Sequence, residues 1–334
     1  MAKKKRIFGL PAGRLRAGFF TVASVAVLLA AVWYFRTHDV AVLSPGGEVA
    51  TKQFHLIVFA TLLSLVVILP VFIMTYVIVR NYRVHPDGKT RKPAAYTPDW
   101  DHNRTVETIW WGVPTLLIVI LSVVIIKSSY ALDPFQPLAA SATTKPITVQ
   151  VVAQQWKWLF IYPEQGIASV NYLEFPANTP IDFQITSDAP MNSFWIPKLG
   201  GQIYAMSGMS TQLHLIADQE GEYRGVSANL SGDGFAGMDF RVRATPQDEF
   251  DSWVQGIQHS NQPLTQTAYQ QLAKPSMNVA PAFYTLPDKG LYDTVVMKYM
   301  APGHPATAAY PDEPSSNTLP AMPHDMPNHT KGNY

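Results

Sequence analysis

The segment Val226–Met238, VSANLSGDGFAGM, strings polar side chains along a turn-rich loop: the hydroxyls of Ser227 and Ser231, the amide of Asn229 and the thioether of Met238. Phe235 in the same loop donates nothing. A second amide, Asn192, stands upstream in Met191-Asn192-Ser193-Phe194-Trp195-Ile196-Pro197. The chemistry open to this set is narrow. Soft metal ions need thiolate, thioether or imidazole donors. Serine hydroxyls stay protonated near neutral pH, amides are hard oxygen donors, and one thioether holds little alone. The chain contains no cysteine, so no thiolate arrives from elsewhere and no disulfide forms. The loop is therefore expected to bind no metal. Two further groups stand apart from it. Glu107, in Val106-Glu107-Thr108-Ile109-Trp110, opens an apolar run, where a carboxylate suits the positive end of a helix. His304, His324 and His329, with Met322 and Met326, are scattered along a tail from Ala301 to Tyr334. That tail offers loose metal donors, but its Pro-, Asn- and Thr-rich composition predicts disorder.

The elements that carry these residues divide by hydropathy. The chain has 334 residues, 47% hydrophobic and 15% charged, with a net charge of +1. Nothing in that balance points to nucleic acid. The apolar residues concentrate before residue 132, in the runs Ala17–Phe35, Leu56–Val79 and Ile109–Ile126. The second run reaches roughly 36 Å as a helix, enough to cross a bilayer's hydrocarbon core. None of the runs carries a charge, as insertion into lipid demands. Pro70 and Pro114 lie inside two of them and are tolerated in membrane helices, where neighbours repair the lost hydrogen bond. Arg80, Arg83, Lys89, Arg91, Lys92 and Arg104 crowd the segment between the second and third runs. By the positive-inside rule that segment and the N-terminus face the cytoplasm, and everything after Lys127 lies outside. The first run reads as a signal peptide or as a retained anchor, and its length favours retention.

From Thr148 onwards the pattern becomes short alternating stretches: Val149-x-Val151, Val170–Phe175, Ile181–Ile185, Leu213–Ile216 and Asp239–Val242. Turn residues such as Pro176-Ala177-Asn178 and Gly232-Asp233-Gly234 separate them. Many short strands within such a span predict an antiparallel sandwich or barrel.

With these residues in view, the chain resembles subunit II of the heme–copper oxidases. That family writes the binuclear copper (CuA) loop as Cys-x-Glu-x-Cys-x-x-x-His-x-x-Met. Anchored on Met238, Ser227 and Ser231 take the cysteine positions, Asn229 the glutamate and Phe235 the histidine, while Asn192 takes the upstream histidine. Gln155-Trp156-Lys157-Trp158 is similar to the family's Gln-Trp-x-Trp phrase, whose first tryptophan passes electrons from cytochrome c to copper. Packing is the expected role of Trp156 and Trp158 here. Lys157 replaces the usual tyrosine, a departure from the cytochrome-docking pattern. The phrases Phe160–Ala168, Phe175–Pro180, Met191–Phe194 and Gln202–Met206 look like subunit II of bo-type ubiquinol oxidases, and Phe250–Met300 resembles their helical arm.

The resemblance implies an α + β membrane protein: two transmembrane helices, a third N-terminal anchor or signal, a periplasmic cupredoxin-like β-sandwich and a helical C-terminal arm. The expected layout is 1–53 for the N-terminus, first run and periplasmic loop, 54–79 and 106–130 for the spans, and 80–105 for the cytoplasmic loop. The sandwich is expected over 140–245, the arm over 246–300 and the tail over 301–334. The function implied is that of subunit II of a proton-translocating ubiquinol oxidase in a bacterial inner membrane. Hemes and the CuB ion would lie in subunit I and no cofactor in this chain. The implied partners are subunit I, further small membrane subunits, lipid and, for the complex, ubiquinol, but not cytochrome c. Glu107 falls where the family places a glutamate at the mouth of a proton channel. A menaquinol oxidase subunit remains open, because the quinone pocket is not in this chain. So does a free-standing, membrane-anchored copper-delivery protein, which would require surviving soft ligands.

Overall fold

Long apolar runs free of charge form helices, and their polar ends decide where those helices stop. The computed structural model describes residues 6–7, 10–38, 40–84, 92, 98–99, 101–138 and 145–300. Two short strands, β1 (Arg6–Ile7) and β2 (Leu10–Pro11), pair antiparallel ahead of α1 (Ala12–Thr37). Then come α2 (Glu48–Tyr82) and α3 (Arg104–Ala131), both long and apolar enough to cross a membrane. At 35 residues α2 is about 52 Å long, well beyond a hydrocarbon core. It outruns the apolar stretch at both ends. Glu48 sits in its first turn and Arg80 in its last, each on the favourable side of the helix dipole.

The extra turns of α2 at its N-terminal end join it to the sandwich. Val49 and Ala50 are buried, the amide of Ala50 donates to the carbonyl of Leu199 (3.1 Å), and that of Gly46 donates to Lys198 (2.7 Å). The helix therefore enters the folded domain before it enters lipid.

Two sheets face each other. One has six strands in the order β10 (Thr211–Leu215), β7 (Ile181–Ser187), β3 (Ile147–Gln154), β4 (Lys157–Tyr162), β5 (Ile167–Val170) and β13 (Ala282–Thr285). The other has five, in the order β6 (Tyr172–Pro176), β12 (Asp239–Thr245), β11 (Gly221–Ser227), β8 (Asn192–Ile196) and β9 (Gly200–Ala205). Most pairings are antiparallel. β3 with β7 and β6 with β12 are parallel, because the chain crosses between the sheets before returning beside those strands. Phe160, Phe183, Phe194, Phe240 and Trp158 fill the space between the sheets, with Phe194 stacked on Phe240 at 5.3 Å.

The stretch Val170–Phe175, which the alternation predicts as one strand, is split in two. Asn171 stands at φ 52° and carries the chain from β5 in one sheet to β6 in the other. Its side chain secures that turn, the oxygen accepting from the amide of Trp158 (2.8 Å) and the nitrogen donating to the carbonyl of Val279 (2.8 Å). Asparagine tolerates the left-handed region better than other non-glycine residues, so the break is local chemistry.

The arm folds as α4 (Gln247–Gln258), α5 (Gln266–Leu272) and α6 (Leu291–Met297), and it also adds strand β13 to the free edge of β5. Leu264, Tyr269, Leu291, Tyr292 and Val295 cover Val152, Leu159 and Ile161 on the outer face of the six-stranded sheet. β4 is consequently buried along both faces, which explains why Lys157–Tyr162 reads as a nearly continuous apolar run. The tail 301–334 lies outside the described residues.

Candidate functional site

The loop that follows β11 runs across the end of the sandwich. β8 delivers Asn192 and β11 delivers Ser227, since Ser227 pairs with Phe194 in the sheet register. The Ser227 hydroxyl donates to Asn192 Oδ1 (3.1 Å), and Asn192 Nδ2 donates to the carbonyl of Pro190 (2.7 Å). Asn229 Nδ2 donates to the carbonyl of Met191 (2.9 Å). The amide of Ser227 donates to the carbonyl of Met238 (3.2 Å), which closes the loop on itself. Met238 is buried in the aromatic core, and Phe235 opens a single 3-10 turn, Phe235–Gly237, half-buried. Ser231 Oγ is buried and finds no hydrogen-bond partner among the described residues.

The structure thus brings Asn192, Ser227 and Asn229 into one hydrogen-bonded patch and gives Met238 to the core. The fit to a copper pair is poor on chemical grounds. Of the positions expected from the resemblance to hold copper donors, two carry a hydroxyl and an amide bonded to each other, and another a phenyl ring. Among the described residues no cluster of three or more His, Cys, Asp or Glu side chains is placed to hold a metal ion.

Trp156 packs against the edge of the core and reaches into the loop as well. Its Nε1 donates to the carbonyl of Ser231 (3.0 Å), and Gly234 lies so close under the indole that a Cβ there would overlap the ring. Trp158 is fully buried between the sheets, as expected of it. Lys157 is also buried. Its Nζ donates to the carbonyls of Gln155 (3.3 Å) and Lys274 (2.8 Å) and to the hydroxyl of Ser276, so this cation ties the arm to the sandwich. Burial holds its pKa below the usual lysine value.

Glu107 is exposed in the first turn of α3. Asn103 caps that helix, its side-chain oxygen accepting from the amides of Thr105 (3.0 Å) and Val106 (3.1 Å). Glu107 Oε1 in return accepts from the amide of Asn103 (3.2 Å), one residue later than in the usual reciprocal box.

Several polar groups escape the sequence reading. The Asp188 side chain is buried and accepts from Tyr269 Oη (2.7 Å), Lys298 Nζ (2.7 Å) and Tyr299 Oη (2.6 Å). His214 Nδ1 lies 2.7 Å from Asp182 Oδ1, because β10 and β7 place the two residues opposite each other. Glu174 is buried beside Tyr172, whose hydroxyl it accepts, and burial raises both pKa values, that of Tyr172 to about 12. Only Lys157 left a sequence signal, a charge inside an apolar run.

Residues 167–245 match the family described as the cytochrome c oxidase subunit II periplasmic domain, and residues 258–303 match the COX aromatic rich motif. The cytochrome bo(3) ubiquinol oxidase subunit 2 of Pseudomonas putida is 49% identical over 257 residues, 77% of this chain and 80% of that protein. The ubiquinol oxidase subunit 2 of Acetobacter aceti is 46% identical over 261 residues, 78% of this chain and 83% of that one. The quinol oxidase subunit 2 of Bacillus cereus strain ATCC 14579 is 42% identical over 237 residues, 71% and 79% of the two chains. Among solved structures, the periplasmic domain of cytochrome oxidase subunit II from Bradyrhizobium japonicum is 26% identical with a TM-score of 0.33, covering 35% of this chain and 96% of its own. On the strength of its near-half identity to proteins matched across most of their length, this chain belongs to the ubiquinol oxidase subunit 2 family of the heme–copper oxidases.

Proposed function

We propose that this chain is the redox-silent subunit II of a terminal ubiquinol oxidase in a bacterial inner membrane. The complex oxidises ubiquinol, reduces oxygen to water and moves protons outward, with the hemes, the CuB ion and the quinol pocket in subunit I. α2 and α3 pack beside subunit I and further small membrane subunits, surrounded by lipid, with residues 80–105 on the cytoplasmic side. The sandwich of residues 140–245 stands in the periplasm, braced by the arm of residues 246–300. One observation carries this reading. The loop from Ser227 to Met238 keeps the scaffold of an electron-transfer site while its positions hold hydroxyl, amide and phenyl groups. A quinol dissolved in the membrane needs no electron port facing the periplasm, so loss of copper donors and absence of a cytochrome c partner belong together.

Glu107 has two supports at once. It caps α3 through Asn103, and as an exposed carboxylate at the cytoplasmic end of that helix it collects protons for a channel in subunit I. Metal and optical analysis of the complex purified in mild detergent tests the whole reading. Heme with a single copper and no near-infrared band from a mixed-valence pair is the expected result. Two tightly held coppers in the sandwich, or a stable native particle made of this polypeptide alone, would overturn it.

A further inference from the structure

The first helix of the arm rests on a strand that carries a carboxyl out of reach of water. β6 ends the five-stranded sheet, and α4 lies across it and across β13. Leu173 and Phe175 turn into the core, so Tyr172 and Glu174 turn the other way, towards the helix. Trp253 of α4 packs against both Tyr162 (5.6 Å) and Tyr172 (5.9 Å). Glu174 is only 1% exposed, and its backbone holds it there. Its amide donates to Tyr162 Oη (3.0 Å), and that hydroxyl donates to its carbonyl (2.8 Å).

The groups facing the Glu174 carboxyl come from each element around it. On β6, Tyr172 Oη donates to Oε2 (2.5 Å). On β12, the parallel register sets Arg243 beside Glu174, and Thr245 brings its hydroxyl up to the carboxyl. On α4, Glu249 engages the Arg243 guanidinium at 2.6 Å. On β4, Tyr162 meets only the backbone. Glu174 Oε1 and Thr245 Oγ1 are both buried with no hydrogen-bond partner among the described residues. An ionised Glu174 would set a second carboxylate against one guanidinium that is already engaged, where an unpaired buried charge is strongly disfavoured. A protonated one donates from Oε1 to Thr245 Oγ1 and satisfies both oxygens at once. Burial pushes the carboxyl's pKa up, and Glu249 acts in the same sense. Hydrogen bonds from Tyr172 and Thr245 and the Arg243 charge oppose that rise without cancelling it.

We propose that Glu174 is a proton-operated clasp for the arm: neutral, it lets α4 seat on β6, and ionised, it loosens that helix from the sandwich. The sign follows from linkage. A carboxyl raised in the folded state contributes fully below the ordinary glutamate value, about 4.3, and loses that contribution as pH rises through the raised one. The clasp closes in acid and slackens in base. Protons delivered to the periplasmic side would therefore hold the arm shut, a consequence that rests on the oxidase reading as the clasp itself does not.

Hydrogen exchange on the intact complex purified in detergent tests the clasp between about pH 5 and pH 9, with each rate referred to the intrinsic rate at the same pH. Protection of the α4 amides should fall severalfold as pH rises, while that of β11 stays constant. E174Q keeps a neutral donor for Thr245 Oγ1, so its α4 protection should be flat across the range. E249Q acts from the surface, at a side chain 43% exposed, and decides the matter if E174Q does not fold. It frees Arg243 to stabilise an ionised Glu174, so the fall in protection should move to lower pH. Flat protection in the unaltered protein, an unchanged pH profile in E174Q or an unmoved fall in E249Q would each overturn the clasp. None of these outcomes alters the metal content of the complex, so failure here is distinguishable from failure of the oxidase reading.

Discussion

Asp188 is the residue whose removal should release the arm. Its buried carboxylate takes hydrogen bonds from Tyr269 on α5 and from Lys298 and Tyr299 just beyond α6, so one side chain gathers the middle and the C-terminal end of the arm. In D188A the Tyr269 hydroxyl, in a side chain only 5% exposed, loses its acceptor outright. Tyr299 is 44% exposed and turns to water at part of the cost. Lys298, with its side chain 56% exposed, contributes at most about 1 kcal/mol. A hydrogen bond to a charged group is worth about 1.5–3 kcal/mol, so the arm should loosen by about 3 kcal/mol in total. That corresponds to roughly a hundredfold shift in its opening equilibrium. Hydrogen exchange on the intact chain in detergent reads this directly. Amides of α5 and α6 should exchange about a hundredfold faster while those of β11 and β12 stay as they were. The pH dependence has a definite sign. Burial pushes the Asp188 carboxyl up, but the donors Lys298, Tyr299 and Tyr269 outweigh it and hold it below the usual range. A depressed folded-state value stabilises at every pH above the ordinary carboxylate value, and the contribution is lost as pH falls through the lowered one. The protection that Asp188 gives the arm amides should therefore stay constant with pH near neutrality and fall only below about pH 4. If D188A speeds arm and sandwich together, or neither, Asp188 is not the latch.

Gly234→Ala places a methyl into the Trp156 indole and should cost about 1–3 kcal/mol, seen as a lower midpoint in thermal unfolding followed by tryptophan fluorescence. An unchanged midpoint would show that the indole does not hold the loop. Glu107→Gln keeps an acceptor for the Asn103 amide but loses the titrating carboxyl. Oxygen consumption by the complex should fall severalfold with α3 exchange unaltered, whereas Glu107→Ala should also fray the first turn; wild-type turnover in E107Q would sink the proton-loading role. Combining N192H, S227C, S231C and F235H, with Met238 in place, should restore copper uptake and a near-infrared band. A folded variant that stays colourless with copper would mean that the loop has been aligned wrongly.

The membrane half was legible because lipid imposes a simple demand, long runs without charge. What it hid was the overshoot of α2, since Gly46 to Ala50 carries no apolar pattern and becomes ordered by contact with Lys198 and Leu199. In the sandwich, alternation found the centres of β3, β7, β10 and β12 but passed over β4, buried on both faces, and the β5–β6 break, set by one left-handed asparagine. β13 has no pattern of its own; Ala282–Thr285 is a strand because the edge of β5 is free to pair. The loop positions were readable through residue type and spacing. The bond between Ser227 and Asn192 was not, because it joins residues 35 apart and depends on the register of β11 with β8. Lys157 reads in the sequence as a lost docking aromatic, yet it proves to be a cation buried among three acceptors.

The indole clamp on Ser231 and the pairing of Ser227 with Asn192 also bear on biogenesis. A domain built around a metal site is complete only once its ion has bound. Here the polypeptide seals that corner with its own amides, hydroxyls and one aromatic ring. Maturation of the exported half should thus finish when the chain finishes folding, whatever the supply of copper outside the cell.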